Sequence, residues 1–368
     1  MNETYELSVV IPTLEEEGRI GRLLEGLRAQ RGVRLEVVVA DGGSGDGTPE
    51  VARKAGARVV EVGRAGRGVQ MNAGAKESEG KWLLFLHADS VPGDPDLVRD
   101  ALERMRWEEQ RGVSERVVGH FSLRFEGKGR EERGRFYRLL ERKSALNRAL
   151  TTHGDQGMLM RRETFEAVGG FEEGLGFLED QRFVAALERM GGRRVTLGGY
   201  VRTSTRRFEV EGVRARYATM TLIMMAEAVG LEAFLADEEG VYAPQHRAGR
   251  LRFLRLAKTF GEALLAGDRE TIRGRIEGLK TLGWHNLWQV PFGIDVWLWP
   301  APHGPTPLTD AWTRCVAGEG SVCREGGAGV ECASKSRSPA PLKARRRAAT
   351  VGYGRCSSET AERKAPTM

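Results

Sequence analysis

The chain has 368 residues, of which 40% are hydrophobic and 29% charged, and its formal net charge is +6 at pH 7. This composition is typical of a soluble globular protein and excludes a collagen-like or wholly disordered chain. The positive charge is concentrated in residues 301–368, with 11 Lys/Arg and 6 Asp/Glu, which leaves 46 and 45 of the chain's 57 and 51 for residues 1–300. Residues 1–300 are thus almost neutral, which gives no indication of a nucleic-acid partner.

The sequence contains no apolar run long enough to span a bilayer. The best candidate, residues 220–236, is interrupted by Glu227 and Glu232. A strand follows almost at once after Glu3 and Glu6, which leaves no space for a signal peptide. We therefore expect a cytoplasmic protein without a transmembrane segment.

Apolar segments alternate with helical segments through the first 90 residues. Strands are predicted at residues 7–13, 35–40, 58–62 and 82–86, and a helix follows each of the first three. The fourth strand has five consecutive apolar residues, a pattern typical of a strand that is covered on both faces. This alternation predicts right-handed crossovers and an α/β fold with a mostly parallel central sheet.

The second half of the chain is predicted to add further elements to this sheet and then to become helical. The predicted elements are helices at 94–111, 131–150 and 179–190, strands at 116–125 and 195–201, and a loop followed by a strand within 152–160. From residue 211 the pattern is helical to about residue 282, with a break at Pro244. These patterns predict an α/β domain over residues 1–210 and a helical extension over 211–300.

Residues 301–368 are predicted to be a disordered basic tail, because they are rich in Gly, Ser, Ala, Pro and Arg. All four cysteines lie in this tail, and their spacing fits no zinc pattern. Four tryptophans, Trp284, Trp288, Trp297 and Trp299, end the helical extension. They are interpreted as packing the helices onto the α/β domain, with contact to a lipid surface as the alternative.

Polar residues follow three of the first four predicted strands. Asp41 opens a loop with four glycines in seven positions, Arg64 and Arg67 flank glycines before a helix, and His87 and Asp89 end the fourth strand. In an open parallel sheet these strand ends face the ligand crevice. An arginine before a helix N-terminus suits a pyrophosphate, and Asp89 with His87 can hold a divalent cation together with phosphate oxygens. No P-loop or dinucleotide fingerprint is present.

Several motifs resemble those of the family 2 inverting glycosyltransferases, whose nucleotide-sugar-binding α/β fold is called GT-A. They are residues 10–13 with Glu16, residues 41–48, and the strand end that contains Asp89. Residues 66–75, 85–89, 154–156 and 203–207 are similar to a bacterial subgroup that is named for arsenosugar biosynthesis. The resemblance covers about residues 7–207 and implies a GT-A domain over residues 1–210.

The resemblance also implies roles for individual residues. The predicted residues that bind the nucleotide sugar are Pro12, Thr13, Glu16, Asp41, Arg67, Asn72, Asp89 and Gln156. Asp41 would accept a hydrogen bond from the base. Asp89 occupies the last position of the family's Asp-x-Asp metal motif, whose first position is His87 here, and neutral imidazole also ligates Mn²⁺. The implied cofactor is therefore Mn²⁺ or Mg²⁺, bound by Asp89 and His87.

Glu179 and Asp180 match the acidic pair that opens a late helix in the family, in which the Asp is the general base. Displacement at an anomeric carbon needs a carboxylate to accept the proton of the attacking hydroxyl. It also needs a cation or hydrogen-bond donors on the leaving diphosphate. Asp180 is the predicted base and Asp155 the rival. Asp89 with the metal, helped by Arg67 or by Arg206 and Arg207, would stabilise the leaving group.

The sequence thus predicts a metal-dependent inverting glycosyltransferase of hexosyltransferase type, which uses a nucleoside-diphosphate sugar. Two alternatives stay open: a sugar nucleotidyltransferase, and a non-catalytic protein that binds nucleotide sugars. The acceptor is either a small molecule or a lipid. A lipid would bring peripheral contact with a membrane, which a basic helix that contains Arg250, Arg252, Arg255 and Lys258 would suit. UDP and GDP are not distinguished.

Overall fold

The structure is a computed structural model that describes residues 5–112, 114, 116–148, 151, 154–174, 177–236, 249, 251 and 253–317. Residues up to Thr313 belong to one compact unit, and the chain from Arg314 is assigned to a second unit. Most of the predicted disordered tail lies outside the described residues, and so do Pro244, Arg250 and Arg252.

Within the described ranges the strands form one eight-stranded sheet with the order β3-β2-β1-β4-β7-β6-β8-β5. The strands are β1 Leu7–Thr13, β2 Leu35–Asp41, β3 Arg58–Glu61, β4 Trp82–Phe85, β5 Val91–Pro92, β6 Val117–Glu126, β7 Met158–Arg161 and β8 Arg193–Ser204. The pairings from β3 to β4 are parallel, as is that of β6 with β8. β7 is antiparallel to both neighbours, and β5 is antiparallel to β8. The predicted α/β fold with a mostly parallel sheet is confirmed.

Fifteen α-helices are described along the same ranges. They are α1 Glu17–Arg28, α2 Thr48–Lys54, α3 Arg67–Lys76, α4 Leu97–Gln110, α5 Lys128–Glu132, α6 Gly134–Ser144, α7 Arg162–Val168, α8 Glu179–Arg189, α9 Arg206–Glu211, α10 Val213–Ala228, α11 Glu232–Leu235, α12 Phe253–Leu264, α13 Arg269–Asn286, α14 Gln289–Leu298 and α15 Pro307–Ala317. The helical C-terminal extension that the sequence predicts is therefore present.

The core lies on both faces of the sheet, because the central strands are buried at every position. All seven residues of β1 and all four of β4 are buried. Helices α1 and α4 cover one face, and α3, α7 and α8 cover the other. The first helix illustrates the reason: its apolar residues recur at helical spacing and form one buried stripe.

The strand order reverses between β1 and β4. From β1 the chain runs outward through β2 to β3, and it then returns to place β4 on the other side of β1. In an open α/β sheet the ligand crevice lies at the carboxyl ends of the strands where this reversal occurs. The ends of β1 and β4 carry Thr13 and the segment of His87 and Asp89.

Three details differ from the sequence-based expectation. The predicted helix at 131–150 is divided into α5 and α6, because Arg133 leaves the helical conformation before Gly134. The strand predicted at 195–201 extends over all of β8. Thr13 is a residue type that favours the N-cap of a following helix, but its hydroxyl donates to Asp41 and α1 begins only at Glu17.

Of the four C-terminal tryptophans, Trp288 alone is buried. It packs with Phe292 and Val296 against residues of α6. Trp284, Trp297 and Trp299 retain 57%, 61% and 38% exposure. The packing interpretation is therefore confirmed for Trp288. The other three are partly covered, and the Arg135 guanidinium of α6 lies 5.8 Å from the centroid of the Trp297 ring. No helix in the described part of the chain has the length and apolarity needed to cross a membrane.

Candidate active site

A cavity of about 410 Å³ opens at the carboxyl ends of β1 and β4. Eight of the predicted site residues line it: Pro12, Thr13, Glu16, Arg67, His87, Asp89, Asp155 and Asp180. The four that do not line it are Asp41, Asn72, Gln156 and Glu179. The cavity therefore joins residues from the ends of two strands, the start of α3, the 3₁₀ turn Gly154–Gln156 and the start of α8.

The Asp41 carboxylate is directed into its own loop. It accepts hydrogen bonds from Thr13 Oγ1 at 2.9 Å, from Gly43 N at 3.0 Å, and from Ser44 N and Oγ at 2.8 and 2.6 Å. Asp41 is also only 2% exposed. The contact with a base that was predicted for Asp41 would require one of these partners to be exchanged, whereas Thr13 next to it faces the cavity directly.

The glycine-rich loop after Asp41 supports the start of α1. The backbone N–H groups of residues 15–17 donate in turn to side-chain oxygens of Ser44, Thr48 and Asp46, at 2.9, 2.9 and 3.1 Å. These groups precede or open the helix and have no partner within it. Glu15 has a positive φ of 58°, which turns the chain between β1 and α1. The loop thereby positions Glu16 at the cavity.

Asp89 and Asp155 are two half-buried carboxylates whose charges repel each other. Burial, together with the charges of Asp89 and Asp180, raises the pKa of Asp155 to about 7. Burial and the charge of Glu16 raise the pKa of Asp89 to about 6, against a smaller opposing effect of nearby arginines. The turn that carries Asp155 is fixed to the β4 end, since Ser90 Oγ donates to the Asp155 carbonyl at 3.0 Å. The nearby positive charge therefore does not offset the burial and mutual repulsion of Asp89 and Asp155.

Helix α8 begins with the acidic pair Glu179 and Asp180, at the end of a helix where a carboxylate is favoured. The residue before it, Leu178, has a φ of 68°, a conformation that costs an L-residue roughly 1 kcal/mol. Gly154 N donates a hydrogen bond to Asp180 Oδ2. A Cβ on Gly154 would lie 3.0 Å from His87 Nε2 and 3.4 Å from Asp180 Oδ2. His87 and Asp180 thus approach the same small residue from two elements.

Arg67 connects α3 to α8. Its Nε lies 2.9 Å from Glu179 Oε1, and the Glu179 side chain is only 1% exposed. Burial nevertheless raises the pKa of Glu179, and the Arg67 charge offsets part of that rise. Because Arg67 itself lines the cavity, it carries a positive charge at the site. Glu179 forms an ion pair with that guanidinium and does not itself line the cavity.

Asn72 and Gln156 bind backbone groups. Asn72 donates to the Phe171 carbonyl at 2.8 Å and accepts from Phe171 N at 2.9 Å, so it clamps the segment that follows α7. Gln156 is completely buried and donates to the carbonyls of Phe121 and Ser144, at 3.1 and 2.8 Å. Neither side chain lines the cavity. Their role in binding the nucleotide sugar stays a prediction.

The donor atoms at the cavity suit a hard divalent cation that also takes phosphate oxygens. Burial and the Arg67 charge lower the pKa of His87 to about 3, which keeps its imidazole in the neutral, ligating form. A cation beside Asp89 and Asp155 would relieve their repulsion. In the described ranges no three His, Cys, Asp or Glu side chains are grouped closely enough to complete a site by themselves. A cation that keeps waters and binds substrate phosphates needs only one or two protein carboxylates.

Sequence reasoning missed the apolar wall of the cavity. This wall includes Tyr217, Met220, Ile223 and Met224, all on α10. The available signal was the apolar spacing of positions 220, 223 and 224, which lie on one helical face. That spacing predicts a helix, but it does not indicate which part of the protein the apolar face of the helix would contact.

The metal-free protein is expected to lose stability as the pH rises from about 4 to about 7. The pKa values of Asp89 and Asp155 are raised in the folded state, so the folded chain binds more protons than the unfolded chain in this interval, and stability falls with pH. Thermal unfolding in EDTA at pH 5 and at pH 8 measures this loss of stability, which should be smaller in the Asp155→Asn variant. Glu103→Gln, on the exposed side of α4, should keep the wild-type decline; equal declines in all three proteins would contradict the assignment.

The comparisons with known proteins agree with the motifs. Residues 8–169 match the family model "Glycosyl transferase family 2". This segment is similar to family 2 glycosyltransferases.

The chain is 31% identical over 117 residues to the 4,4'-diaponeurosporenoate glycosyltransferase of Staphylococcus haemolyticus (strain JCSC1435), with 30% of this chain and 31% of the relative covered. It is 47% identical over 104 residues to the dolichyl-phosphate hexose transferase of Haloferax volcanii, with 27% and 45% covered. The matches thus span less than half of either relative.

Among solved structures, the chain is similar to the mannosyltransferase PcManGT from Pyrobaculum calidifontis in complex with GDP-Man and Mn²⁺. The TM-score is 0.48 at 18% identity, and 80% of this chain and 86% of that chain are covered. The S. aureus protein TarS is similar with a TM-score of 0.44 at 16% identity, and 78% and 50% are covered.

Proposed function

We infer that this protein is a family 2 glycosyltransferase that moves a sugar from a nucleoside-diphosphate sugar to a hydroxyl group, with inversion. The observation that carries this proposal is the cavity in which Asp89, Asp155 and Asp180 meet, although they come from three separate elements. The match of residues 8–169 to the family model supports it. The proposed GT-A domain is residues 1–210, and the helices of residues 211–300 would complete the cavity.

Asp180 is the proposed general base. Its two oxygens each accept one backbone hydrogen bond, from Gly154 N and from Gln181 N, and each keeps a lone pair for an acceptor hydroxyl. As the acceptor oxygen bonds to the anomeric carbon, the bond from that carbon to the diphosphate oxygen breaks. The electron pair leaves with the nucleoside diphosphate, and the hydroxyl proton passes to Asp180. Attack on the face opposite the leaving group inverts the configuration.

The leaving diphosphate would be held by Arg67 and by a divalent cation at Asp89 and His87. When bound, Mn²⁺ or Mg²⁺ supplies positive charge at the diphosphate oxygens. Arg67 is oriented for this role by its ion pair with buried Glu179. Arg207, which also lines the cavity, is held by Glu211 at 2.8 Å. Thr13, Pro12 and Glu16 would form the nucleotide side of the cavity.

A panel of UDP- and GDP-linked hexoses with Mn²⁺, monitored for slow hydrolysis, tests the proposal without knowledge of the acceptor. We expect release of a nucleoside diphosphate from one donor, and we expect EDTA to abolish it. Release of pyrophosphate from a sugar phosphate and a nucleoside triphosphate would instead identify a nucleotidyltransferase. Donor binding without any turnover would identify a nucleotide-sugar-binding protein. The arsenosugar subgroup and the hexose specificity stay predictions.

A further inference from the structure

The cavity has an apolar arm that the proposed donor chemistry does not use. This arm is lined by Phe177, Leu178, Tyr217, Met220, Ile223 and Met224. A nucleotide sugar is polar along most of its length, and it would leave these side chains without a matching surface. Contact with apolar surface contributes about 25 cal/mol per Å² removed from water. The arm therefore favours a ligand with a hydrocarbon portion.

A second, separate depression shares Tyr217 with the arm. Tyr217 lines both spaces, and the second is surrounded by Phe136, Ala218, Leu222 and Phe253 among others. Almost all of the surface that lines this second space is apolar, and its volume is about 460 Å³. Tyr217 is therefore the residue of α10 that the arm and this second apolar depression have in common.

The chain geometry connects this arm to the proposed base. Phe177 and Leu178 are buried in the same apolar cluster as Ile223, and they immediately precede the acidic pair of α8. The left-handed conformation of Leu178 turns the chain between the apolar wall and Asp180. A molecule whose hydrocarbon part occupies the arm would therefore present its polar end toward Asp180.

Three cationic side chains that line the cavity, those of Lys143, Arg207 and Arg216, already have protein partners. Arg207 and Arg216 both pair with Glu211, at 2.8 and 3.3 Å, and Lys143 Nζ donates to Gln289 Oε1 at 3.0 Å. Burial also lowers the pKa of Lys143. A charged acceptor would have to compete with these pairs, whereas an uncharged alcohol would not.

We propose that the arm is the acceptor subsite and that the acceptor is an alcohol with a hydrocarbon chain, an inference that rests on the proposed function. The hydroxyl of the alcohol would lie at Asp180, and the chain would run along Met220 and Met224 toward Tyr217. The sugar would then be attached to the hydroxyl end of an amphiphile.

The full chain, labelled with ¹³C at its methionine methyl groups, is titrated with 1-butanol, 1-hexanol, 1-octanol and 1-decanol. The methyl signals of Met220 and Met224 are expected to shift, and binding should tighten about two- to fourfold for each added CH₂. The variants Met220→Gln and Met224→Gln assign the two signals, and together they should weaken 1-decanol binding at least tenfold. Met225→Gln is the matched control on the same helix, because Met225 does not line either space.

Affinity that does not depend on chain length, or equal shifts at Met225, would overturn the subsite. So would absence of 1-decanol binding, which is the result expected if another segment of the chain fills the arm. Thermal midpoints of the variants confirm that they are folded. A protein that binds 1-decanol at Met220 and Met224 and yet hydrolyses no donor would contradict the proposed function and leave the apolar subsite standing. Release of nucleoside diphosphate that 1-decanol accelerates, with the sugar transferred to the decanol hydroxyl, supports both.

Discussion

Replacement of Asp180 by asparagine is expected to lower the rate of sugar transfer by about 10²–10⁴-fold, which is the usual contribution of a general base. The amide has the same shape, and its single oxygen can still accept one of the two backbone hydrogen bonds, from Gly154 N or from Gln181 N. It cannot take a proton from an acceptor hydroxyl. The affinity for the donor should change little, because the proposed base contacts the acceptor. Release of nucleoside diphosphate at saturating donor measures the rate, and calorimetry measures donor binding.

Glu188→Gln is a suitable control for this experiment. Glu188 lies on the same helix, is largely exposed, and pairs with Arg194 away from the cavity. Its replacement should leave transfer unchanged. Wild-type turnover in Asp180→Asn would remove Asp180 from the mechanism. A large loss in Asp155→Asn without loss of metal binding would then assign the base to the rival carboxylate.

Replacement of Asp89 by asparagine is expected to reduce Mn²⁺-dependent transfer by about 10²-fold or more, because a bound cation contributes several kcal/mol to charge stabilisation. The variant should fold well, since the charge of Asp89 raises the pKa of Asp155 and its own charge is disfavoured by burial. Electron paramagnetic resonance of free Mn²⁺, in the presence of UDP or GDP, reports metal binding directly.

Asp96→Asn is the matched control, because Asp96 lies at the start of α4 and pairs there with Arg99. It should bind Mn²⁺ and nucleotide as the wild type does. His87→Gln tests the second proposed ligand, and we expect it to weaken Mn²⁺ binding as well. If Asp89→Asn retained full Mn²⁺-dependent nucleotide binding, the proposed metal position would be wrong.

The parallel half of the sheet was predictable because its information is local. Runs such as residues 82–86 are apolar on both faces, and each ends at a polar residue or a glycine-rich turn. The rule for strand order and crossover then places those ends together. The roles that the family resemblance implies for Asp89 and Asp180 require the two carboxylates to share one site, and both line the cavity. Spacing alone could not have given it, because 65 residues separate the β4 end from the turn that Ser90 contacts.

The direction of individual polar side chains was not predictable in the same way. Asp41, Asn72 and Gln156 stand in motifs that suit a ligand, yet their hydrogen bonds go to protein groups. A carboxylate or amide in a loop can satisfy either partner, and tertiary packing decides between them. The exposed Trp297 and the apolar wall at Met220 depend likewise on contacts between distant elements, which periodicity does not encode.

The wall at Met220 and Met224 belongs to a single 16-residue helix that follows all of the proposed donor and metal ligands in the chain. Changes confined to α10 would therefore alter which molecules receive the sugar without altering where the sugar comes from. Related chains that differ in α10 would then glycosylate different acceptors. A chimera that exchanges this helix would take on the acceptor specificity of the chain from which the helix comes.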